Sequence, residues 1–323
     1  MPAFSIIVPA YNMQDHLEEA LESIAGQTFT NFEAIVVDDG STDATGVIAK
    51  RFCAMDSRFR YLRRQNGGLS AARNSGTSVA VGTYIYYLDS DDIIDTGALS
   101  TCYRELTNQK IDVVLFEGEV FPIDSPMYRL EADYFQRPVG NSPLWSDDFI
   151  IESLRQGRYC VQVCCFVARR SAIGDLRFIE GMVFEDNHFF VSLLLEKKLR
   201  VSVLHDKLYK RRLRSGSIMF SARTLHHYDS MDRLVRELSD LSFSALKSPE
   251  RATIKKEIVG NALSDLHFAS SLVGPNISLR KRNVAAMWRV ATHVSPRLFT
   301  PKRLLLALVP ELYRLKTDAW LHR

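Results

Sequence analysis

Three carboxylates within four residues, Asp89, Asp91 and Asp92, follow directly after the apolar run at residues 84–88. An apolar run bounded by polar residues predicts a buried strand, so the acids come where that strand ends. Carboxylates this close repel one another, and a hard divalent cation that also holds substrate phosphates would neutralise them. The alternative is a solvated acidic turn that caps the next helix. The segment alone supports both interpretations equally.

Residues 38–43, Asp-Asp-Gly-Ser-Thr-Asp, also combine acids with a flexible turn after an apolar run. One carboxylate could accept a hydrogen bond from a ring N–H of a nucleoside, and the other from a ribose hydroxyl. A turn with an N-cap for the following helix is the alternative. Both interpretations can hold together, because Asp43 can cap the helix while Asp39 binds.

Residues 66–76 join a glycine loop to the start of a helix and place Arg73 in its first turns. Backbone N–H groups at a helix N-terminus suit a pyrophosphate, and an arginine adds a forked donor. The segment is neither a P-loop nor a dinucleotide-binding fingerprint, since it lacks the lysine of the first and the glycine spacing of the second. By itself, a glycine turn before a helix that packs small residues on a sheet is the simpler interpretation.

These segments need a scaffold that brings them together, and continuous apolar strands separated by helices predict one. The pattern indicates an α/β fold with a mainly parallel, Rossmann-like sheet covered by helices on both faces. Ligands bind beyond the carboxyl ends of the strands in such sheets. Polar residues follow all four predicted strands, which predicts a single cleft. The strands are 4–8, 33–37, 59–62 and 84–88, the helices between them 15–24, 45–54 and 69–79, and the polar clusters 11–12, 38–43, 65–68 and 89–92.

The pattern weakens further along the chain. From about residue 226 the apolar spacing is helical throughout. The sequence thus predicts a nucleotide-binding and catalytic domain over residues 1–220 and a helical C-terminal extension over 221–323. Between these regions we predict a helix at 97–107, a strand at 113–116, an irregular connection at 121–148 with four prolines, a strand at 159–167 and a helix at 185–195.

Composition and charge exclude several classes of protein. The 323 residues are 46% hydrophobic with a net charge of +3, which is ordinary for a globular protein and too small to predict nucleic-acid binding. Five cysteines without CxxC spacing predict reduced, buried thiols in the cytosol and no zinc site. The first residues lack the features of a signal peptide, and no apolar run approaches the roughly 20 residues of a membrane-spanning helix. We therefore expect a cytoplasmic protein.

Residues 275–323 are rich in Lys and Arg, which alternate with Trp, Leu and Phe. Basic and aromatic residues on short amphipathic helices are typical of a peripheral, in-plane contact with an anionic membrane. A helical packing domain with a solvated basic face and an oligomer interface are the alternatives.

Taken together, the motifs give the sequence a specific resemblance to a known family. The matching blocks are residues 5–12, 36–43, 67–74 and 88–92. In this order and spacing they resemble the family 2 glycosyltransferases of the GT-A fold, inverting enzymes that use nucleotide sugars to build bacterial surface polysaccharides. Further along, residues 184–186 resemble the family's acidic pair at a helix start, and residues 209–218 resemble its loop near the donor phosphates.

The resemblance implies a role for each matching residue. Asp186 would be the general base with Glu185 beside it, and Asp91 would ligate a Mg²⁺ or Mn²⁺ ion on the donor diphosphate. Gln14 departs from the family, which often has an acid there, and we expect this to cost the first helix a capping charge. The residues implied in donor binding are Pro9, Tyr11, Asn12, Asp38, Asp39, Arg73, Asp89, Ser90 and Arg212.

The implied function is that of an inverting, metal-dependent hexosyltransferase. Its donor would be a nucleotide sugar, in the first place a UDP-sugar, and its acceptor a glycan hydroxyl, carried on a lipid at the inner face of the plasma membrane. A non-catalytic nucleotide-sugar-binding scaffold subunit is the alternative, but it would not need both Asp91 and Asp186. A nucleotidyltransferase would need a glycine-rich basic loop after the first strand, which residues 9–12 do not supply.

Overall fold

The computed structural model describes residues 1–108, 110–121, 134–140, 142–214, 224–247, 249–274 and 276–313. The chain forms two compact units. The first comprises Met1–Gly181 with Lys197–Phe220, and the second comprises Met182–Glu196 with Ser221–Arg323. The sequence predicts one domain up to residue 220, whereas the segment Met182–Glu196 groups with the C-terminal helices.

Four parallel strands with their connecting helices form the N-terminal part of the first unit. They lie in the order β3-β2-β1-β4, with β1 and β2 buried along their whole length, which explains their largely apolar sequences. The seven elements confirm the predictions to within two residues at each end. They are β1 (Phe4–Ala10), α1 (Leu17–Ala25), β2 (Phe32–Asp38), α2 (Thr45–Met55), β3 (Phe59–Arg63), α3 (Leu69–Val79) and β4 (Tyr84–Tyr87).

The register of these strands brings their carboxyl ends to one edge of the sheet. Ala10 is level with Asp38, and Asp38 is level with Arg63 on the next strand. Helix α3 lies unusually close to β1, because a Cβ added to Gly76 would stand only 2.5 Å from Cγ2 of Ile7. Only glycine permits this approach, which fixes the position of the glycine loop at the start of α3.

The rest of the first unit extends the sheet with mixed pairing. Strand β8 pairs antiparallel with both β4 and β6, and the long strand β9 pairs parallel with β6 and antiparallel with β5 and β7. The prediction of a mainly parallel sheet therefore holds for the first four strands, whereas the rest of the sheet is mixed. The added elements are β5 (Ile93–Ile94), α4 (Ala98–Asn108), β6 (Val113–Phe121), β7 (Leu144–Trp145), α5 (Ser146–Arg155), β8 (Phe166–Arg169), α6 (Arg170–Ile173) and β9 (Arg200–Arg212).

Two predictions in this region are wrong. The strand predicted at 159–167 begins only at Phe166, because the buried guanidinium of Arg137 binds the carbonyl oxygens of Cys160 and Cys165 at 2.6 and 3.0 Å. These carbonyl oxygens are therefore not available for the backbone hydrogen bonds of a β-ladder. The loop predicted at 209–218 is strand β9 up to Arg212, while residues 215–218 lie outside the described residues. Nearly half of the irregular connection predicted at 121–148 also lies outside them, at 122–133 and 141.

The second unit is helical, as predicted. Leu234, Leu263 and Met287 are buried in its core, and Tyr228 donates a hydrogen bond to Oδ1 of the buried Asn283 at 3.0 Å. Helix α7 has the predicted bounds. The helices are α7 (Glu185–Leu195), α8 (Leu225–Asp240), α9 (Glu250–Val273), α10 (Ile277–His293) and α11 (Pro301–Leu308), with 3-10 turns at Pro296–Leu298 and Pro310–Tyr313.

Two composition-based predictions can be compared with the coordinates. All five cysteines are free thiols, and all except the half-buried Cys53 are buried. Among the described residues, no helix combines the length and the apolar character that crossing a membrane requires.

Candidate active site

The loops after β1 and β2 are joined by hydrogen bonds. Asn12, whose φ is 52°, accepts a hydrogen bond from the backbone N–H of Thr42 at 2.9 Å through Oδ1. Its own N–H donates to Oγ of Ser41 at 3.1 Å. Pro9 is buried at the end of β1, while the side chain of Tyr11 remains 46% exposed beyond the strand edge. Asn12 thus links the two loops, and Tyr11 offers an exposed aromatic face.

Gln14 has a different position from the one predicted. Helix α1 begins at Leu17, so Gln14 precedes it and carries no capping position of that helix. Its Oε1 accepts from the N–H of Ala44 at 3.1 Å, and its N–H donates to Asp43 at 3.1 Å. The side chain therefore supports the start of α2, and the expected loss of capping charge at α1 is wrong.

Asp38 and Asp39 are both buried, and each is fixed by several donors. Asp38 accepts from the Tyr61 hydroxyl at 2.6 Å and from the N–H of Ser41 at 2.8 Å. Burial raises the pKa of Asp38, but these hydrogen bonds outweigh it and hold the pKa below its usual value. Asp39 accepts from the N–H groups of Gly67 and Gly68, at 3.1 and 2.7 Å.

The contacts of Asp39 change the interpretation of the glycine loop. Two of the N–H groups that the sequence suggested for a pyrophosphate donate to Asp39, and Arg64 pairs with the same carboxylate. Gly68, at φ 87°, is the N-cap residue of α3. The loop is therefore tied to the end of β2, as in the simpler interpretation of a glycine turn before a packed helix.

The three acids after β4 have three different environments. Asp89 pairs with the fully buried Arg73 at 2.8 Å, and Asp91 pairs with Nε of Arg214 at 2.7 Å. The side chains of Asp89 and Asp91 are 29% and 19% exposed. Burial raises the pKa of Asp89, but the charge and hydrogen bond of Arg73 together with the charge of Arg211 outweigh it, so the pKa lies below its usual value. Ser90 between these acids is buried.

Asp92 fastens the acidic turn to the sheet. It is buried and accepts hydrogen bonds from the Tyr209 hydroxyl and from the backbone N–H of Arg212, the latter at 2.7 Å. Burial, with the nearby charges of Asp91 and Asp89, raises its pKa well above the usual value. Strand β5 follows the turn and α4 begins only at Ala98, so the turn does not cap a helix directly after it.

Strand β9 brings two arginines to this edge, and the sequence drew attention to only one. Arg212 pairs with Glu19 and donates to the backbone oxygen of Asp91 at 3.0 Å. Arg211 had no predicted role, yet it lies in the field of Asp89 and Asp92 and forms no salt bridge with any described residue. Burial lowers its pKa, but Tyr209 and Asp92 outweigh this and raise it. The strand period of two, which puts Arg211 on the side of Tyr209, was the missing signal.

Glu185 and Asp186 begin α7 in the second unit. The residue before them, Phe184, has φ 66°, a left-handed conformation that is uncommon for a bulky side chain and often marks functional positions. Within this unit the N–H of Val183 donates to Oγ of Ser230 at 3.1 Å, which holds the segment in place. Glu185 is buried and Asp186 is half-buried.

The structure thus places most of the predicted site residues at one edge of the first unit. Asp38 ends β2 and Asp39 follows it, whereas Asp89 and Asp91 follow β4, and these two strands lie on either side of β1. Among the described residues, no group of three or more His, Cys, Asp or Glu side chains could hold a metal ion by itself. A bound Mg²⁺ commonly uses one or two carboxylates together with substrate phosphates, and Asp91 fits that requirement.

Comparison with known proteins agrees with this geometry. A family model described as Glycosyl transferase family 2 matches residues 5–177. The glycosyltransferase GlyG of Streptococcus pneumoniae serotype 4 is 34% identical over 67% of this chain and 72% of its own length. GlyA of the same organism is 31% identical over 74% of this chain but only 35% of its own length, so the chain spans about a third of that relative.

A solved structure shows the same fold. The crystal structure of residues 1–349 of S. aureus TarS, in complex with UDP-GlcNAc, superimposes with a TM-score of 0.67 at 22% identity. The superposition covers 98% of this chain and 92% of that one. The α/β sheet of the first unit and the helical C-terminal region therefore have the GT-A type of architecture.

Proposed function

Because the chain belongs to glycosyl transferase family 2, we propose that it is an inverting hexosyltransferase, which moves a sugar from a UDP-sugar to a glycan hydroxyl. The observation that carries this proposal is the meeting of Asp38, Asp39, Asp89 and Asp91 at the carboxyl ends of parallel strands. The carboxyl edge of an open α/β sheet is where such folds bind nucleotides. The UDP-GlcNAc complex of TarS supports a UDP-linked donor.

In this proposal, the donor nucleoside lies over the ends of β1 and β2. Tyr11 supplies an exposed aromatic face for the base, and Pro9 is buried near the end of β1. The Tyr61 hydroxyl holds the Asp38 carboxylate in place, and the N–H groups of the glycine loop hold the Asp39 carboxylate in place. Asp89, steadied by Arg73, accepts a hydrogen bond from a ribose hydroxyl.

Asp91 is the residue of the described chain that we assign to a divalent metal on the donor diphosphate. Its hard, partly exposed carboxylate suits Mg²⁺ or Mn²⁺, and its partner Arg214 is displaceable because both side chains are 19% exposed. When bound, the ion would neutralise charge that develops on the leaving diphosphate. Arg214, released from Asp91, and Arg211 can then face phosphate oxygens.

Asp186 takes the proton from the acceptor hydroxyl as that oxygen attacks the anomeric carbon. A carboxylate in the first turn of α7 suits the helix dipole, and Glu185 lies beside Asp186 in that turn. A carboxylate in this role accepts the proton as a general base. Attack from the face opposite the diphosphate inverts the anomeric configuration. The acceptor in this proposal is a glycan of a surface polysaccharide, carried on a lipid at the cytoplasmic face of the membrane.

The proposal is tested by a panel of nucleotide sugars. One UDP-sugar should raise the melting temperature and be hydrolysed slowly in Mn²⁺, and EDTA should abolish the hydrolysis. Asp91→Asn should lose the hydrolysis while retaining the fold. A protein that is stabilised by a nucleotide sugar but never hydrolyses it would be the scaffold subunit instead. No stabilisation by any nucleotide sugar would refute donor binding at this edge.

A further inference from the structure

The segment from residue 277 to residue 310 contains seven Lys and Arg residues and no Asp or Glu. It forms α10, the 3-10 turn at Pro296–Leu298 and α11, which we call the basic hairpin. The two helices pack against each other, and Asn283 of α10 donates to the backbone oxygen of Ala307 in α11 at 3.3 Å. The whole hairpin belongs to the second unit.

Three of the seven basic side chains have a partner within the second unit. Arg280 pairs with Glu311 at 2.9 Å, Arg282 pairs with Asp229 at 2.7 Å and with Asp232 at 3.0 Å, and Arg303 donates to the backbone oxygen of Gly260 at 3.3 Å. The contacts of Arg282 and Arg303 hold the hairpin on α8 and α9, and the contact of Arg280 joins α10 to the 3-10 turn Pro310–Tyr313. The fold of the second unit therefore accounts for the presence of these three basic residues.

The other four cations are exposed, and none of them forms a salt bridge with a residue that the structure describes. They are Lys281, Arg289, Arg297 and Lys302. Four like charges that have no salt-bridge partner among the described residues repel one another, and the fold itself does not require this repulsion. An external anionic surface would relieve this repulsion.

Large apolar side chains are exposed on the same hairpin. Trp288 is 58% exposed, and its ring lies 4.7 Å from the ring of Phe299, between centroids. Leu305 and Leu308 on α11 are 51% and 45% exposed. Exposed Trp and Leu beside unpaired cations are typical of a helix that lies in the plane of a membrane surface, where apolar groups enter the acyl boundary and cations meet the headgroups.

We propose that the basic hairpin is a docking surface for an anionic phospholipid bilayer. The four unpaired cations contact lipid phosphates, and Trp288 with the two leucines enters the interface. A nucleic acid or a soluble polyanion would use the cations but gain nothing from exposed leucines. No residue of the basic hairpin is assigned to catalysis, so this inference does not depend on the proposed chemistry.

The test uses vesicles of phosphatidylglycerol and phosphatidylcholine and the full chain, with flotation as the measurement. The triple variant Lys281→Gln, Arg289→Gln, Lys302→Gln should bind about 100-fold more weakly, since each cation contributes roughly a factor of five. The matched control is Arg104→Gln, Lys110→Gln, Lys247→Gln, which removes the same charge at exposed positions outside the hairpin. The control should float as the wild type does.

A second variant separates a bilayer from other anionic partners. Trp288→Ser should weaken flotation several-fold and leave binding of soluble polyphosphate unchanged. Metal-dependent hydrolysis of a UDP-sugar without vesicles should be the same in all of these variants, which distinguishes failure of docking from failure of the enzyme. Equal flotation of the triple variant and its control would overturn the proposal. Equal flotation of wild type and Trp288→Ser would also overturn it, because the exposed apolar side chains would then contribute nothing to binding.

Discussion

The strand edge of the first unit and the basic hairpin of the second unit differ in whether their charged side chains have partners. At the edge, Asp89 and Asp91 each have an arginine within 2.8 Å, and Asp92 is bound by Tyr209 and by a backbone N–H. On the hairpin, four exposed cations form no salt bridge with described residues. Paired, partly buried charges fix the geometry of a site before its ligand arrives, whereas unpaired charges contribute only when a partner covers them.

The largest expected effect concerns Asp186. Replacement Asp186→Asn removes a base but keeps the shape, and we expect kcat to fall by about 10²–10⁴-fold while the Kd for the donor stays the same. Turnover and donor titration on the same preparations measure both quantities. The matched control is Asp148→Asn, an exposed acid in the first turn of α5, which should leave kcat unchanged. Near-normal turnover in Asp186→Asn would leave the acid with only a helix-start role.

The next effect tests the pairing of the strand edge. Arg73→Met leaves Asp89 without its buried partner, and we expect the free energy of unfolding to fall by about 2–3 kcal/mol. Urea denaturation measures it. Arg155→Met breaks an ion pair whose arginine is 73% exposed, and its cost should stay within about 0.5 kcal/mol. Similar losses in both variants would show that the strand edge is no more preorganised than the surface.

A smaller effect is expected at Arg214. In the proposal, Arg214 neutralises Asp91 until a metal ion takes its place. Arg214→Gln should therefore tighten Mn²⁺ binding in the absence of donor by about five-fold, because a partly exposed ion pair contributes about 1 kcal/mol. Titration of free Mn²⁺ by electron paramagnetic resonance measures this directly. Asp91→Asn should abolish the tightening. Weaker Mn²⁺ binding in Arg214→Gln would contradict the exchange.

The smallest effect concerns pH and Asp38. Its pKa in the folded protein is below the usual 3.8, so its contribution to stability is present above that pH and is lost as the pH falls through the lower folded value. Tyr61→Phe removes one donor and should cost about 1 kcal/mol at pH 7. The difference from wild type in urea denaturation should shrink at about pH 3. If the difference in the free energy of unfolding stays constant with pH, the ionisation of Asp38 is not what the Tyr61 hydroxyl stabilises.

The parallel half of the first unit was predictable because its signals are local. Each apolar run and the polar cluster after it are adjacent in sequence, so strand, turn and acids such as Asp38 and Asp89 could be placed together. Strand β9 was not predictable in this way. It carries charged residues through its second half and becomes a strand through pairing with β6, some 90 residues earlier in the chain.

The hydrogen-bond and charge partners of the acidic residues were equally difficult to predict from the sequence. Asp92 binds Tyr209 across 117 residues, and Arg211 reaches the acidic turn only because β9 pairs as it does. In the run of three basic residues at 210–212, the strand period of two identifies Arg211 as the one on the side of Tyr209, but only once the segment is known to be a strand. The resemblance drew attention to Arg212, whereas the field of Asp89 and Asp92 acts on Arg211.

The most direct test of the proposed function is the configuration of the sugar that the enzyme releases. With UDP-GlcNAc as the probe, Mn²⁺ present and no acceptor, proton NMR during the first minutes of hydrolysis reports the anomeric proton of the product before it equilibrates. A single displacement assisted by Asp186 predicts that the β-anomer appears first from the α-linked donor. First appearance of the α-anomer would contradict the inverting mechanism and the role of Asp186 as its general base.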